Sequence, residues 1–143
     1  GAGQPDVGER ATRIALAMSL AVQSVIAVLF WVFATPLAAL YSNDVAVVAL
    51  AAGALHWAAV SQPGLGMYQV LSGGLRGAGD TRYPLYLTFA GIWTIRLGLG
   101  YVAALRFGMG LNGIWLAVVA DQWTRALLVE WRFRRGAWRK IEV

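Results

Sequence analysis

Residues 14–43 read IALAMSLAVQSVIAVLFWVFATPLAALYSN, thirty positions without one charged side chain. A second charge-free stretch runs from Val45 to Leu75. Either is longer than the roughly 20 residues that cross a hydrocarbon core as a helix. A third apolar region, Pro84 to Leu105, is interrupted by Arg96, and a fourth, Gly108 to Val129, carries Asp121 and Arg125. Backbone amides in lipid must pair within their own segment, so runs this long have to be helices. Transmembrane barrel strands run only about ten residues and alternate polar with apolar side chains. Nothing here alternates in that way. The first run is also too long for a signal peptide, and no A-x-A site with a mature domain follows it. The predicted fold class is an all-α polytopic membrane protein with four transmembrane helices.

Composition agrees. Of 143 residues 59% are hydrophobic and 13% charged, about half the charged share of a soluble domain. The absence of cysteine excludes disulfides and thiolate metal sites, and one histidine excludes a histidine-rich ligand cluster. No serine or threonine pairs with that histidine at a meaningful spacing, so no catalytic constellation and no cofactor site is predicted.

The net charge of +5 invites a nucleic-acid reading, but the arginines report orientation instead. Arg10 and Arg13 precede the first helix, Arg76 and Arg82 lie between the second and third, and Arg132, Arg134, Arg135, Arg139 and Lys140 follow the fourth. If the chain zigzags, these nine cations share one side and only Arg106 lies on the other. Positive loops stay in the cytoplasm. The segments expected are a cytoplasmic loop 1–13, a span 14–35, an external turn 36–44, a span 45–71 bent near Pro63, a cytoplasmic Gly-rich loop 72–83, a span 84–105, an external turn 106–110, a span 111–131 and a cytoplasmic basic-aromatic tail 132–143. Ser42-Asn-Asp44 can cap the second span. In the tail, Trp131 and Trp138 are expected at headgroup level with arginines reaching lipid phosphates. The bilayer is the partner this predicts, and nucleic acid is not.

Two intramembrane groups are predicted to meet. Arg96 lies 13 residues before the outer turn at Met109 and Asp121 lies 12 residues after it. In an antiparallel hairpin they share one depth, where pairing avoids the cost of an isolated charge. Arg125 follows Asp121 by one turn and can share its carboxylate, with Gln122 extending the network. A structural tie is favoured over a proton- or cation-responsive group, because an adjacent arginine favours the charged carboxylate. The remaining polar candidates are His56, which titrates in a useful range, the one-face pair Gln62 and Gln69, and their neighbour Tyr68. They can line a cavity or tie helices together. Trp93, with Trp57, Trp115 and Trp123, is a weak candidate for an aromatic cage around an organic cation.

The glycine-rich loop is Leu71-Ser-Gly-Gly-Leu-Arg-Gly-Ala-Gly-Asp-Thr-Arg-Tyr-Pro84. Gly74, Gly79 and Thr81 nearly complete a P-loop, but Asp80 occupies the lysine position and would repel phosphate. A G-x-G-x-x-G reading fails because Arg82 stands at its third glycine.

This loop, through Gly73, Arg76, Gly77, Gly79, Asp80, Thr81, Arg82 and Pro84, resembles the cytoplasmic loop between helices ten and eleven of MATE (multidrug and toxic compound extrusion) transporters. Gly1-Ala-Gly3 with Gly8-Glu-Arg10-Ala11 is similar to the loop after helix eight. Arg96-Leu, Gly110-Leu-x-Gly113-Ile-Trp115 and Phe133-Arg-Arg-Gly-x-Trp138 resemble helix eleven, the entry to helix twelve and the tail. The resemblance implies a C-terminal fragment covering helices nine to twelve, part of a six-helix lobe whose remaining helices are its partners. It implies alternating-access antiport of small organic, often cationic, substrates in exchange for protons or sodium, in the inner membrane of a bacterium. One branch of the family binds sodium through a carboxylate in helix ten. The matching position here is Leu65, so protons are the expected coupling ion. Alternatives are a flippase for a lipid-linked substrate or a structural four-helix subunit. A small dimeric exporter is disfavoured, because the first helix offers only Ser19, Gln23 and Ser24 where such proteins need a carboxylate.

Overall fold

The computed structural model describes residues 4–140, so Gly1-Ala-Gly3 lies outside the described residues. Every described element is helical: α1 Pro5–Val32, α2 Ala34–Ala39, α3 Val45–Gly77, α4 Arg82–Arg106, α5 Leu111–Arg134 and a closing 3₁₀ turn Ala137–Lys140. Three of these, α1, α3 and α4, are long and apolar enough to cross a membrane. The fourth long helix, α5, has 24 residues but is less apolar, since it carries Asp121, Arg125, Glu130, Arg132 and Arg134. Asp121, Arg125 and Glu130 are buried inside the bundle, and that enclosure lets so polar a helix belong to an all-α membrane protein.

Several helices are longer than the apolar runs suggest. Helix α1 already begins at Pro5, whose ring suits a first helical position. Helix α3 does not stop at Leu71 but continues to Gly77, so the expected loop 72–83 shrinks to the turn 78–81. The reason is packing: Leu71, Ser72 and Leu75 are almost fully buried, and Gly74 sits where a β-carbon would lie 2.7 Å from the Thr12 methyl of α1. Those contacts offset the low helix propensity of glycine. The expected first span breaks at Phe33, and the short helix α2 that follows runs from its last residues into the expected external turn 36–44, with Pro36 in its first turn. Asp44 caps α3, accepting from the amides of Ala46 at 2.8 Å and Val47 at 3.4 Å.

Helix α4 departs from α geometry. It is α-helical over Arg82–Ala90 but π-helical over Gly91–Leu99 and again over Val102–Arg106. Wide turns of this kind are rare and concentrate where side chains must be re-aimed at a site. Glycines at positive φ, Gly108 and Gly110, then reverse the chain into α5. There Gly113 packs so closely that a β-carbon would lie 2.6 Å from the Ala104 amide nitrogen.

In cross-section α3 lies between α1 and α5, and α5 between α3 and α4. The main core gathers Leu16, Tyr68, Leu71, Leu75, Ala126, Val129, Phe133 and Trp138 at the arginine-rich end. A small second cluster, Ala34, Ala38 and Ala52, joins α2 to α3 at the other end.

The tail corrects one expectation. Trp138 is not an exposed headgroup anchor. Gly136, at φ 66°, turns the chain back, and the Trp138 ring stacks on Phe133 at 5.2 Å. Its indole nitrogen donates to the Phe133 carbonyl at 2.9 Å. Carbonyls at the end of α5 lack helical donors, and the folded-back indole joins the Gly136 amide on the Phe133 carbonyl. Trp131, in contrast, is about half exposed, with the Arg135 guanidinium over its ring.

Candidate functional site

The intramembrane charges converge on Asp121, which is fully buried. Its Oδ2 accepts from Arg125 Nη2 at 2.6 Å, one turn along the same helix, and lies 3.0 Å from Arg96 Nη2 of α4. Arg125 Nη2 also reaches Gln122 Oε1 at 3.3 Å. Asp121 Oδ1 has no donor among the described residues and faces Gly91, where any β-carbon would collide with it and crowd Arg125 Cδ at 3.1 Å. Gly91 opens the first π-helical stretch, and Arg96 sits within the same stretch. The wide turns therefore bring an arginine onto the carboxylate at the point where a missing side chain lets α5 approach. Arg96 is about one-third exposed, so the cluster is sealed on the α5 side and open on the α4 side.

Tyr68 belongs to this cluster. The Arg125 guanidinium lies 4.9 Å over its ring, and its hydroxyl pairs with Thr88 Oγ1 at 2.6 Å while also reaching the Pro84 carbonyl at 3.3 Å. One tyrosine on α3 thus links α5 and α4. The other polar candidates are not gathered here. The His56 Nε2 lies 3.2 Å from the Trp31 carbonyl with the two rings in contact, binding α3 to α1. That position is twelve residues from Tyr68, roughly 18 Å along a helix. Gln62 is half-buried, Gln69 exposed, and Trp93 is 60% exposed beside Phe89 on the outer face of α4. Among the other cage candidates, Trp57 donates to Asn112 and Trp123 to the Val60 carbonyl, beside the Pro63 turn.

The Gly-rich motif ends a helix. The Asp80 amide donates to the Leu75 carbonyl at 2.8 Å and the Gly79 amide to Arg76 at 3.0 Å, with Gly79 at φ 91°. This double closure requires a left-handed residue, which glycine supplies. It delivers the buried Asp80 carboxylate to Arg132 of α5, whose Nε and Nη2 both lie 3.0 Å from Oδ2. Gly73 and Arg76 are exposed on α3, Gly77 is its last residue, and Thr81 and Arg82 are exposed at the start of α4.

Two further clasps close the same end, and sequence reasoning missed both. Glu130 of α5 accepts from Arg13 of α1 at 2.7 Å and from Arg134. Arg139 pairs with Glu9 and lies 3.4 Å from Asp6, both on α1. The signal was present: Glu130 and Asp80 are lone acids among many arginines, and each such acid found a partner.

The fold and its enclosed charges define an α-helical membrane protein whose helices are tied by buried ion pairs at two levels. A model of the MatE family matches residues 1–102, and the chain belongs to that family. It is 30% identical to the uncharacterized transporter YisQ of Bacillus subtilis (strain 168) over 84% of this chain and 26% of that protein. It is 30% identical to the probable multidrug resistance protein NorM of Thermotoga maritima over 88% of this chain and 27% of that protein. To the multidrug resistance protein NorM of Burkholderia vietnamiensis it is 36% identical over 93% of this chain and 30% of that protein. The chain therefore spans between a quarter and a third of the length of these relatives.

Proposed function

We propose that this chain supplies helices nine to twelve of a secondary active antiporter that exports organic, often cationic, compounds by alternating access. The observation that carries the reading is the family match across α1, α3 and most of α4, joined to relatives named for multidrug resistance. No enzymatic role is part of it. The segments 14–35, 45–71, 84–105 and 111–131 are the parts assigned to the bilayer. The arginine-rich end, with its three ion-pair clasps, faces the cytoplasm, and the bacterial origin of the relatives supports the inner membrane of a bacterium as its location.

Protons are the preferred coupling ion. After Asp44, α3 carries no carboxylate, and Leu65 stands where a sodium-binding acid would be needed. Asp121 is already paired with two cations, Arg96 and Arg125, and serves as a tie between α4 and α5. Lining the cavity falls to the open face of α3 that carries Gln62 and Gln69. Two amides are costly against lipid and are retained where protein or water covers them. His56 and Tyr68 act at helix contacts, and Trp93 lies outside the cavity.

The test uses the complete transporter in cells loaded with a fluorescent organic cation. Expression lowers accumulation, and collapsing the proton gradient restores it while a sodium gradient alone does not sustain export. Export that persists after both gradients are collapsed would contradict secondary transport.

A further inference from the structure

We propose that the cavity beside the Gly-rich turn binds the phosphate headgroup of an anionic phospholipid, whose acyl chains lie along the outer face of α4. The cavity measures about 530 Å³ and is lined by the turn Gly79–Thr81, by Arg82, Tyr83 and Tyr86 of α4, and by Arg132 of α5. Its one acid does not repel an anion. Asp80 is 5% exposed and neutralised by the two Arg132 contacts at 3.0 Å. Arg132 itself is held 4.8 Å over the Tyr83 ring and keeps 30% of its side chain exposed. Arg82 is exposed, and every ion pair among the described residues uses a different arginine. The accessible charge at the cavity mouth is therefore positive. Guanidinium groups are well suited to phosphate oxygens.

The second half of the ligand is written on α4 below the cavity. No charged residue occurs from Tyr83 to Ile95, and Leu85, Tyr86, Phe89 and Trp93 are each between 60% and 67% exposed. Tyr86 belongs both to the cavity wall and to this stripe. A cation at the mouth with an apolar track leading away from it matches a molecule with an anionic head and a hydrocarbon tail. A soluble phosphate would use only the mouth. This inference does not depend on the substrate or the coupling ion of the transporter.

The test reconstitutes the complete transporter in phosphatidylcholine vesicles containing either brominated phosphatidylglycerol or brominated phosphatidylcholine at equal mole fraction. Quenching of Trp93 is read as the difference between the parent protein and its Trp93→Phe variant. Brominated phosphatidylglycerol should occupy the stripe about fivefold more tightly than the zwitterionic lipid, the factor one surface arginine contributes. Arg82→Gln should bring that ratio close to one, while Arg76→Gln, an exposed arginine outside the cavity, should leave it in place. Equal quenching in the parent protein would overturn the proposal. So would abolition of the preference by soluble glycerol phosphate, which would mark a free-phosphate site. Absence of quenching by either lipid would show that protein covers this face, and would overturn it too.

Discussion

Asp121 ties α5 to Arg96 of α4. Both of its close cationic partners meet one oxygen, so Asp121→Asn leaves two guanidinium groups facing a neutral amide inside the bundle. Breaking a buried ion pair from one side costs ~3–5 kcal/mol, and the variant should show a clearly lower unfolding midpoint in detergent. Replacing Asp121, Arg96 and Arg125 together by leucine should recover most of that loss, because an apolar core of similar volume is often no less stable. An Asp121→Asn protein with an unchanged midpoint but no gradient-driven export would instead make Asp121 a proton carrier. Gly91 gives a second residue-scale prediction. Gly91→Ala should cost ~1–3 kcal/mol from overpacking against Asp121 and Arg125. Gly98→Ala, in the same π-helical stretch but with nothing within 4 Å, should be neutral in the same assay. The pairing of Arg96 with Asp121 was legible from residue counts about the Met109 turn. The need for glycine at 91 was not, because it depends on which side of α4 meets α5.

At the scale of elements, the helices' existence was legible and their ends were not. Apolar length marks where a helix can cross lipid, but α3 continues past Leu71 because α1 and α5 bury Ser72 and Leu75, which no local propensity reveals. The π-helical stretches of α4 were invisible for the same reason. Their composition resembles that of an ordinary apolar helix broken by an arginine. The tail is the sharpest case. Trp131 and Trp138 look equivalent in sequence, seven residues apart among arginines, yet only Trp138 is buried and bonded to the end of α5. Gly136 was the available signal, since a left-handed residue just past a helix end reverses the chain. Trp138→Ala should therefore destabilise the protein by ~3 kcal/mol, the low end for truncating a buried aromatic. Trp131→Ala should change stability by no more than about 0.5 kcal/mol, as surface substitutions do. Thermal unfolding of the two variants side by side checks the difference.

For the whole molecule, the arrangement is uneven along its length. One end carries the larger core and three arginine clasps, while the other is joined mainly by small alanine contacts and the His56–Trp31 pair. Between them the α3 face with Gln62 and Gln69 has no hydrogen-bonded partner among the described residues, which suits the proposed completion of this surface by further helices of a transporter. Replacing both glutamines by leucine should raise the substrate concentration for half-maximal export about tenfold, the effect of losing roughly 1.4 kcal/mol of hydrogen bonding. Expression should be unaffected, and uptake assays over a range of substrate concentrations separate the two. The arginine asymmetry that suggested orientation was fully legible in the sequence, because it needs only counting. The clasps that use those arginines were not, because they needed the third dimension.

Orientation is the claim on which the membrane reading, the clasped end and the transport proposal all depend, and the chain's lack of cysteine makes it directly measurable. Single cysteines placed at Asn43 and at Gly77, both exposed, in a cysteine-free form of the complete transporter can be challenged with a membrane-impermeant maleimide on intact cells. The account predicts labelling at position 43 from outside and labelling at position 77 only after permeabilisation. Labelling at position 77 on intact cells would contradict it.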